Sequence, residues 1–232
     1  MKKIIFCATL LFCNILLLHA QSQYLGVQIG FTQPITRLNQ PILNQEKVLN
    51  PTIYNGFKAG VVYDATLVAG FGYSMAINYT FGANKTNWEQ IGQHPYPRKE
   101  TYNFYHQIEI PVDWQYKFEI AQNTWVILYT GPTLQCGLSF LQDTHIQNQP
   151  NDAITSTSAD RYTMSDVSAL KRINITWGIG AGLQYEQYFL RGGYDFGVIN
   201  PYKESMFTTH DIYTRGRFDQ WQIKLGMYIW SK

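Results

Sequence analysis

Along residues 69–82 apolar or aromatic side chains alternate with small or polar ones without a slip. Ala69, Phe71, Tyr73, Met75, Ile77, Tyr79 and Phe81 fall on one face of an extended strand; Gly70, Gly72, Ser74, Ala76, Asn78, Thr80 and Gly82 fall on the other. Residues 102–119 repeat the pattern. Tyr102, Phe104, His106, Ile108, Ile110, Val112, Trp114, Tyr116 and Phe118 form one face, and Asn103, Tyr105, Gln107, Glu109, Pro111, Asp113, Gln115, Lys117 and Glu119 the other. Strands this long and this cleanly two-faced exceed what soluble sheets ordinarily use. They predict an all-β fold, an eight-stranded antiparallel up-and-down transmembrane β-barrel with an apolar exterior and a polar lumen.

The eight strands are expected near residues 24–32, 54–64, 69–82, 102–119, 124–140, 172–186, 188–199 and 218–230, with a kink in the fifth at Gly131-Pro132. The links at 65–68, 121–123 and 187 are short. Those at 33–52, 83–101, 141–171 and 200–217 are long. Short turns face the periplasm and long loops the exterior in such barrels, which places both ends of the mature chain in the periplasm. The loop segment 147–160, rich in Asn, Asp, Ser, Thr and Pro, reads as solvated and mobile.

Alternation alone does not say which face points inward. A soluble barrel would turn its apolar face in and show Lys, Glu and Thr to water. Here the polar face is dominated by Gly, Asn, Gln and Ser, which suit a crowded interior. The aromatics agree. On the fourth strand Tyr102 and Phe104 lie at one end and Trp114, Tyr116 and Phe118 at the other, with Ile108, Ile110 and Val112 between them. Phe104 and Trp114 are separated by roughly 33 Å along the strand and about 25 Å along the membrane normal, the height of an outer-membrane apolar band. These five aromatics are the expected girdle.

The N-terminal segment changes the picture by fixing a compartment. Lys2 and Lys3 precede an apolar run from Ile4 to Leu18, and cleavage after Ala20 would leave Gln21 as the first residue. Residues 1–20 therefore read as an export signal and 21–232 as the barrel. The chain carries 18 Lys+Arg and 16 Asp+Glu; removing Lys2 and Lys3 leaves 16 against 16, which argues against nucleic-acid binding. Of the three cysteines, Cys7 and Cys13 lie in the signal, so Cys136 has no partner for an internal disulfide.

Inward parity collects charges of both signs: Lys58, Asp64, Glu109, Asp113, Lys117, Glu119, Glu186, Arg191, Asp195 and Lys224. An eight-stranded barrel is narrow enough for side chains to fill, so these predict an ion-pair and hydrogen-bond network plugging the lumen, with a gated ion path as the alternative. Arg191 and Asp195 lie about 13 Å apart along one strand face and must each pair elsewhere; Glu109, Asp113 and Lys224 are the expected partners. Catalysis would need a Ser, a His and a carboxylate near the outer rim. His106 and Ser139 lie at comparable height, but outside any recognised motif, and His106 reads as a belt residue. The remaining histidines and the loop aspartates Asp143, Asp152, Asp160 and Asp166 show no metal-ligand spacing. No enzyme activity, cofactor or metal is expected.

Four segments carry a family resemblance: Ile108-Glu109-Ile110-Pro111-Val112, Tyr129-Thr130-Gly131-Pro132, Gly178-Ile179-Gly180-Ala181-Gly182-Leu183-Gln184-Tyr185 and Leu190-Arg191-Gly192-Gly193-Tyr194-Asp195-Phe196-Gly197. Their order resembles the porin-family, PorT-like outer-membrane β-barrel proteins of Bacteroidetes along essentially the whole mature chain. The resemblance implies outer-membrane lipid and the barrel-assembly machinery as partners. It also implies a structural or interaction role at the cell surface or in an envelope assembly such as a secretion system; a small-solute channel is the alternative, with a lipid-modifying enzyme a lesser one.

Overall fold

The computed structural model describes residues 21–38, 52–91, 96–150, 152–163, 170–201 and 216–232. The expected signal at 1–20 lies outside them. Eight long strands dominate: β1 (Ser22–Leu38), β2 (Asn55–Val68), β3 (Phe71–Lys85), β4 (Arg98–Ala121), β5 (Thr124–Gln147), β6 (Ile173–Tyr185), β7 (Tyr188–Gly197) and β8 (Gly216–Ser231). Each pairs antiparallel with the next, and β1 also pairs with β8, so the sheet closes on itself as an eight-stranded barrel. Closure matters because a membrane-spanning sheet cannot leave backbone donors and acceptors exposed to hydrocarbon.

The period-2 pattern becomes two surfaces. Ile29, Phe57 and Ile179 point outward and are 64%, 67% and 59% exposed, while Asp64, Thr80 and Thr176 point inward and are fully buried. This inversion of a soluble protein's arrangement suits a barrel whose outer wall meets lipid. The expected girdle residues Tyr102, Phe104, Trp114, Tyr116 and Phe118 all face outward, with Trp114, Tyr116 and Phe118 the most exposed of the five.

Three tight turns define one end, which also carries Gln23 and Lys232, hydrogen-bonded to each other through their backbones. The first turn is Ala69-Gly70, not the expected 65–68: both residues have positive φ (51° and 85°), as a two-residue hairpin demands, so β2 runs on to Val68 and β3 begins at Phe71. Asn123 and Glu186 adopt the same left-handed region in the other two turns. The opposite end, where the long connections lie, is the loop end.

Several strands run further toward the loop end than alternation indicates. Beyond the barrel wall β4 and β5, each of 24 residues, continue as a paired two-stranded arm. Glu89–Gln90 flanks the arm against β4, and Thr155–Asp160 flanks it against β5. Part of the segment expected to be solvated and mobile is thus a strand, its hydroxyl-rich sequence paired through the backbone. Gly131-Pro132 does not shift the register: Pro111 pairs with Thr133 and Trp114 with Thr130 on one side, and Gly131 pairs with Gly178 on the other. The irregularity comes later. His106 pairs with Ser139 and Gln107 with Gly137, leaving Leu138 as a bulge residue. The bulge reverses the facing of β5, so Gly137 and Phe140 both point inward.

Candidate functional site

The lumen is filled by side chains. Val62, Ala76, Phe189 and Tyr228 form a buried apolar cluster against Tyr24. The Tyr228 ring lies between those of Phe189 and Tyr24, each centroid 4.8 Å away. Gly226 makes room for this packing, since a Cβ there would overlap the Phe189 ring. Tyr228 follows the inward parity of β8, and a register shift at Ile229 turns Trp230 outward.

Beside that cluster sits the Asp64 carboxylate, fully buried. The Arg191 guanidinium donates to it at 2.5 Å, the Lys117 ammonium lies 3.4 Å away, and the Tyr228 hydroxyl also donates to it. Arg191 further donates to the Ser74 hydroxyl at 2.9 Å and to Gln115 and Tyr228, both at 3.3 Å. Lys117 donates to Gln184 at 3.0 Å. The partner of Arg191 is therefore Asp64 on β2, and not the β4 carboxylates expected from parity. Lys224 is its register neighbour on β8 and carries the same charge.

A second centre lies toward the loop end. Lys58 pairs with Glu109 at 2.6 Å and donates to Gln222 at 2.8 Å; Glu109 also accepts from Thr80 at 3.0 Å and Gln107 at 2.7 Å. Asp195 accepts from Gln220 at 2.8 Å and from Gln222 at 3.0 Å. Asp113 and Lys224 are buried without a hydrogen-bonding or ion-pair partner among the described residues, and the Lys224 ammonium lies 5.7 Å from the Tyr129 ring centroid. Lys58, Lys117, Arg191 and Lys224 thus face Asp64, Glu109, Asp113 and Asp195, so the buried charges of the described lumen balance. Burying charge without such balance would cost several kcal/mol per ion.

Two residues assigned inward by parity do not join this network. Glu186 sits exposed in the β6–β7 turn with φ 50°, and Glu119 is exposed beside the β4–β5 turn, where it accepts from the Asn123 backbone N–H at 3.3 Å. Parity stops having meaning where the strand leaves the wall. Tyr228, Ser74 and Gln115, in contrast, carry no charge to draw notice but complete the shell around Arg191 and Asp64. Their inward parity was the available signal.

At the loop end Tyr54, Tyr105, Phe140 and Leu170 form a buried cluster with Tyr162 and Phe218 packed against it. Tyr54 meets Tyr105 and Phe140 edge-on, at 5.8 and 5.7 Å between centroids. Tyr105 lies over Gly56 and Gly82, where a Cβ would collide with it. A cavity of about 40 Å³ remains beside these rings, bordered by Gln107, Gln135 and Gln220; it is the size of one or two waters.

Outside the lumen, His106 is bonded through Nδ1 to the Tyr79 hydroxyl at 2.5 Å and pairs in register with Ser139. Neither bonds a carboxylate in the described contacts. The described residues contain no cluster of His, Cys, Asp or Glu arranged to hold a metal ion.

A closed antiparallel ring with an apolar wall and a charge-balanced interior defines a transmembrane β-barrel of the outer-membrane kind. A family model described as the outer membrane protein beta-barrel domain matches residues 19–202, and the chain belongs to that family. Its place is the outer membrane of a Gram-negative bacterium. Comparison with curated protein sequences finds no match. Among solved structures, the chain is similar to the attachment invasion locus protein Ail of Yersinia pestis, solved with the heparin analogue sucrose octasulfate. The identity is 11%, over 90% of this chain and 99% of that one, with a TM-score of 0.37. Neisserial surface protein A matches at 12% identity over 89% and 97%, TM-score 0.38. The N-terminal β-barrel domain of Pseudomonas aeruginosa OprF matches at 11% over 86% and 97%, TM-score 0.23.

Proposed function

We propose that this chain is a side-chain-filled outer-membrane barrel with a structural or interaction role at the cell surface or in an envelope assembly, and that it is neither a pore nor an enzyme. The observation that carries this is the contact of Arg191 with Asp64: side chains from β7 and β2 meet within the lumen and, with Lys117 and Tyr228, occupy its section. The apolar cluster beside that contact and the aromatic cluster at the loop end fill more of the same column. The working surface is then the loop end and the arm built from β4 and β5. The motif order through residues 108–112, 129–132, 178–185 and 190–197 supports a PorT-like placement among Bacteroidetes barrels. In this reading the signal is removed after Ala20, the barrel-assembly machinery inserts residues 21–232, and both termini lie in the periplasm.

The second reading is a small-solute or ion channel, favoured by Asp113 and Lys224, which are buried without direct partners. Purified protein in planar bilayers separates the two. The plugged barrel gives no steady conductance step at moderate voltage; a reproducible, ion-selective step would overturn it.

A further inference from the structure

On the outer wall, at the loop end of β1 and β8, a carboxylate is hidden where parity places a lipid-facing side chain. Asp219 shares the outward register of Trp221 and Ile223, yet it is fully buried. Two arginines cover it. Arg37 and Arg217 are register partners across the β1–β8 seam, and the Nε of each lies in ion-pair contact with the same Asp219 oxygen, at 2.8 and 3.1 Å. The Tyr194 hydroxyl donates to that oxygen at 3.1 Å, and the Gly197 N–H donates to the other at 3.0 Å. Both carboxylate oxygens are thereby engaged, whereas the guanidiniums keep donors to spare. Their side chains stay 48% and 45% exposed, and Arg37 makes one further contact, from Nη2 to Tyr194 at 3.4 Å. The remaining Nη donors have no partner among the described residues, and the group carries one net positive charge.

Height identifies what meets it. Trp221, which donates to Gln33 at 2.6 Å and whose ring lies tilted against that of Phe31 with centroids 5.5 Å apart, marks the belt on this side of the barrel. Asp219 lies two residues beyond Trp221, about 5 Å further along the membrane normal for a tilted strand. That is the polar headgroup layer, which adds roughly 5–8 Å to each side of the hydrocarbon core. A pair of guanidiniums fixed side by side, with free forked donors and half-exposed to headgroups, matches the oxygens of a phosphate monoester.

We propose that Arg37 and Arg217, aligned by Asp219, form a clamp on the barrel wall for the phosphate monoester of an outer-leaflet glycolipid. The identity of the leaflet rests on the reading that the loop end faces the cell exterior; the clamp chemistry does not.

The test uses the full mature chain in detergent and native mass spectrometry, with lipid A in phosphorylated and phosphate-free forms as probes. The parent should retain the phosphorylated form about tenfold better, the equivalent of roughly 1.4 kcal/mol. The double variant Arg37→Gln/Arg217→Gln should lose that preference while keeping heat-modifiable gel mobility. Arg37→Lys/Arg217→Lys, which keeps the charge and serves if the first variant fails to fold, should lose most of it. Asp219→Asn discriminates most sharply: it raises the net positive charge but frees the arginines, so the clamp predicts weaker retention and a diffuse electrostatic field predicts stronger. Stronger retention by that variant, equal retention of both lipid forms, equal retention of phosphatidylglycerol, or displacement of the lipid by millimolar inorganic phosphate would each overturn the proposal. Labelling of the loop end in intact cells tests the orientation separately; periplasmic labelling would overturn the functional reading while leaving the clamp standing.

Discussion

Arg191 on β7 and Asp64 on β2 belong to strands that are not neighbours in the barrel wall, and their side chains nevertheless meet in the lumen at 2.5 Å. Both are fully buried, so the contact ties two sides of the wall together through the interior. Arg191→Ala leaves Asp64 with Lys117 and Tyr228 alone and should lower stability by about 3–5 kcal/mol. Arg191→Ala combined with Asp64→Asn should lose less than the single variant. Urea unfolding in detergent micelles measures both; a single variant as stable as the parent would show that the contact carries no weight.

Wall and lumen should respond oppositely to charge. Ile110→Arg places a guanidinium near the middle of the lipid-facing band and should cost about 2–4 kcal/mol. Gln107→Arg, half-buried in the lumen beside Glu109, should cost less, because a carboxylate lies within reach. Equal losses in the same unfolding assay would contradict the facing of β4.

The mouth depends on a missing side chain. Tyr105 rests against Gly82, and a methyl group there must push the ring away while Tyr54 and Phe140 hold it from the other side. Gly82→Ala should therefore destabilise the barrel by about 1–3 kcal/mol. It should also raise the access of water to the loop end of the lumen, read as faster hydrogen exchange of the Gly82 and Tyr105 amides. Unchanged stability together with unchanged exchange would place Tyr105 elsewhere.

The base of the arm should loosen in acid. Glu100 is bonded to Lys85 at 2.9 Å and accepts from Tyr102 at 2.9 Å, and the hydrogen bond from Lys85 holds its carboxyl below the ordinary range. A carboxyl whose folded value is lowered contributes stability above its unfolded pKa and loses it as pH falls through the folded one. Hydrogen exchange of the Thr86 N–H, bonded to the Thr101 carbonyl at 2.9 Å, should thus quicken relative to neighbouring wall amides on acidification below the carboxylate range. Glu100→Gln should remove that pH dependence. A parent whose relative protection stays flat with pH would refute the assignment.

Much of the wall could be read directly from the sequence, because lipid and lumen impose opposite demands on alternate residues and leave a period-2 signature wherever the strand lies in the wall. Ile77 and Asn78, one exposed and one buried, show how local that signal is. Which lumen residues touch was not readable. Contacts such as Arg191 to Asp64 depend on the stagger of non-adjacent strands, and no local pattern records stagger. Parity also misled where the chain leaves the wall, as at Glu119 and Glu186. The arm escaped notice for a related reason: above the membrane there is no lipid to enforce apolar residues on its outer face.

Leu138 gives the barrel a sense of scale. Below it on β5, odd-numbered side chains enter the lumen; above it, even-numbered ones do, and Phe140 joins the seal only because of that change of count. Were β5 to run through Leu138 in uninterrupted phase, without the bulge, Phe140 would turn toward the membrane and Leu141 toward the interior. The backbone ring of the wall would persist, yet its cap would have lost a ring. Whether this molecule is a stopper or a straw can thus turn on a single residue of strand length.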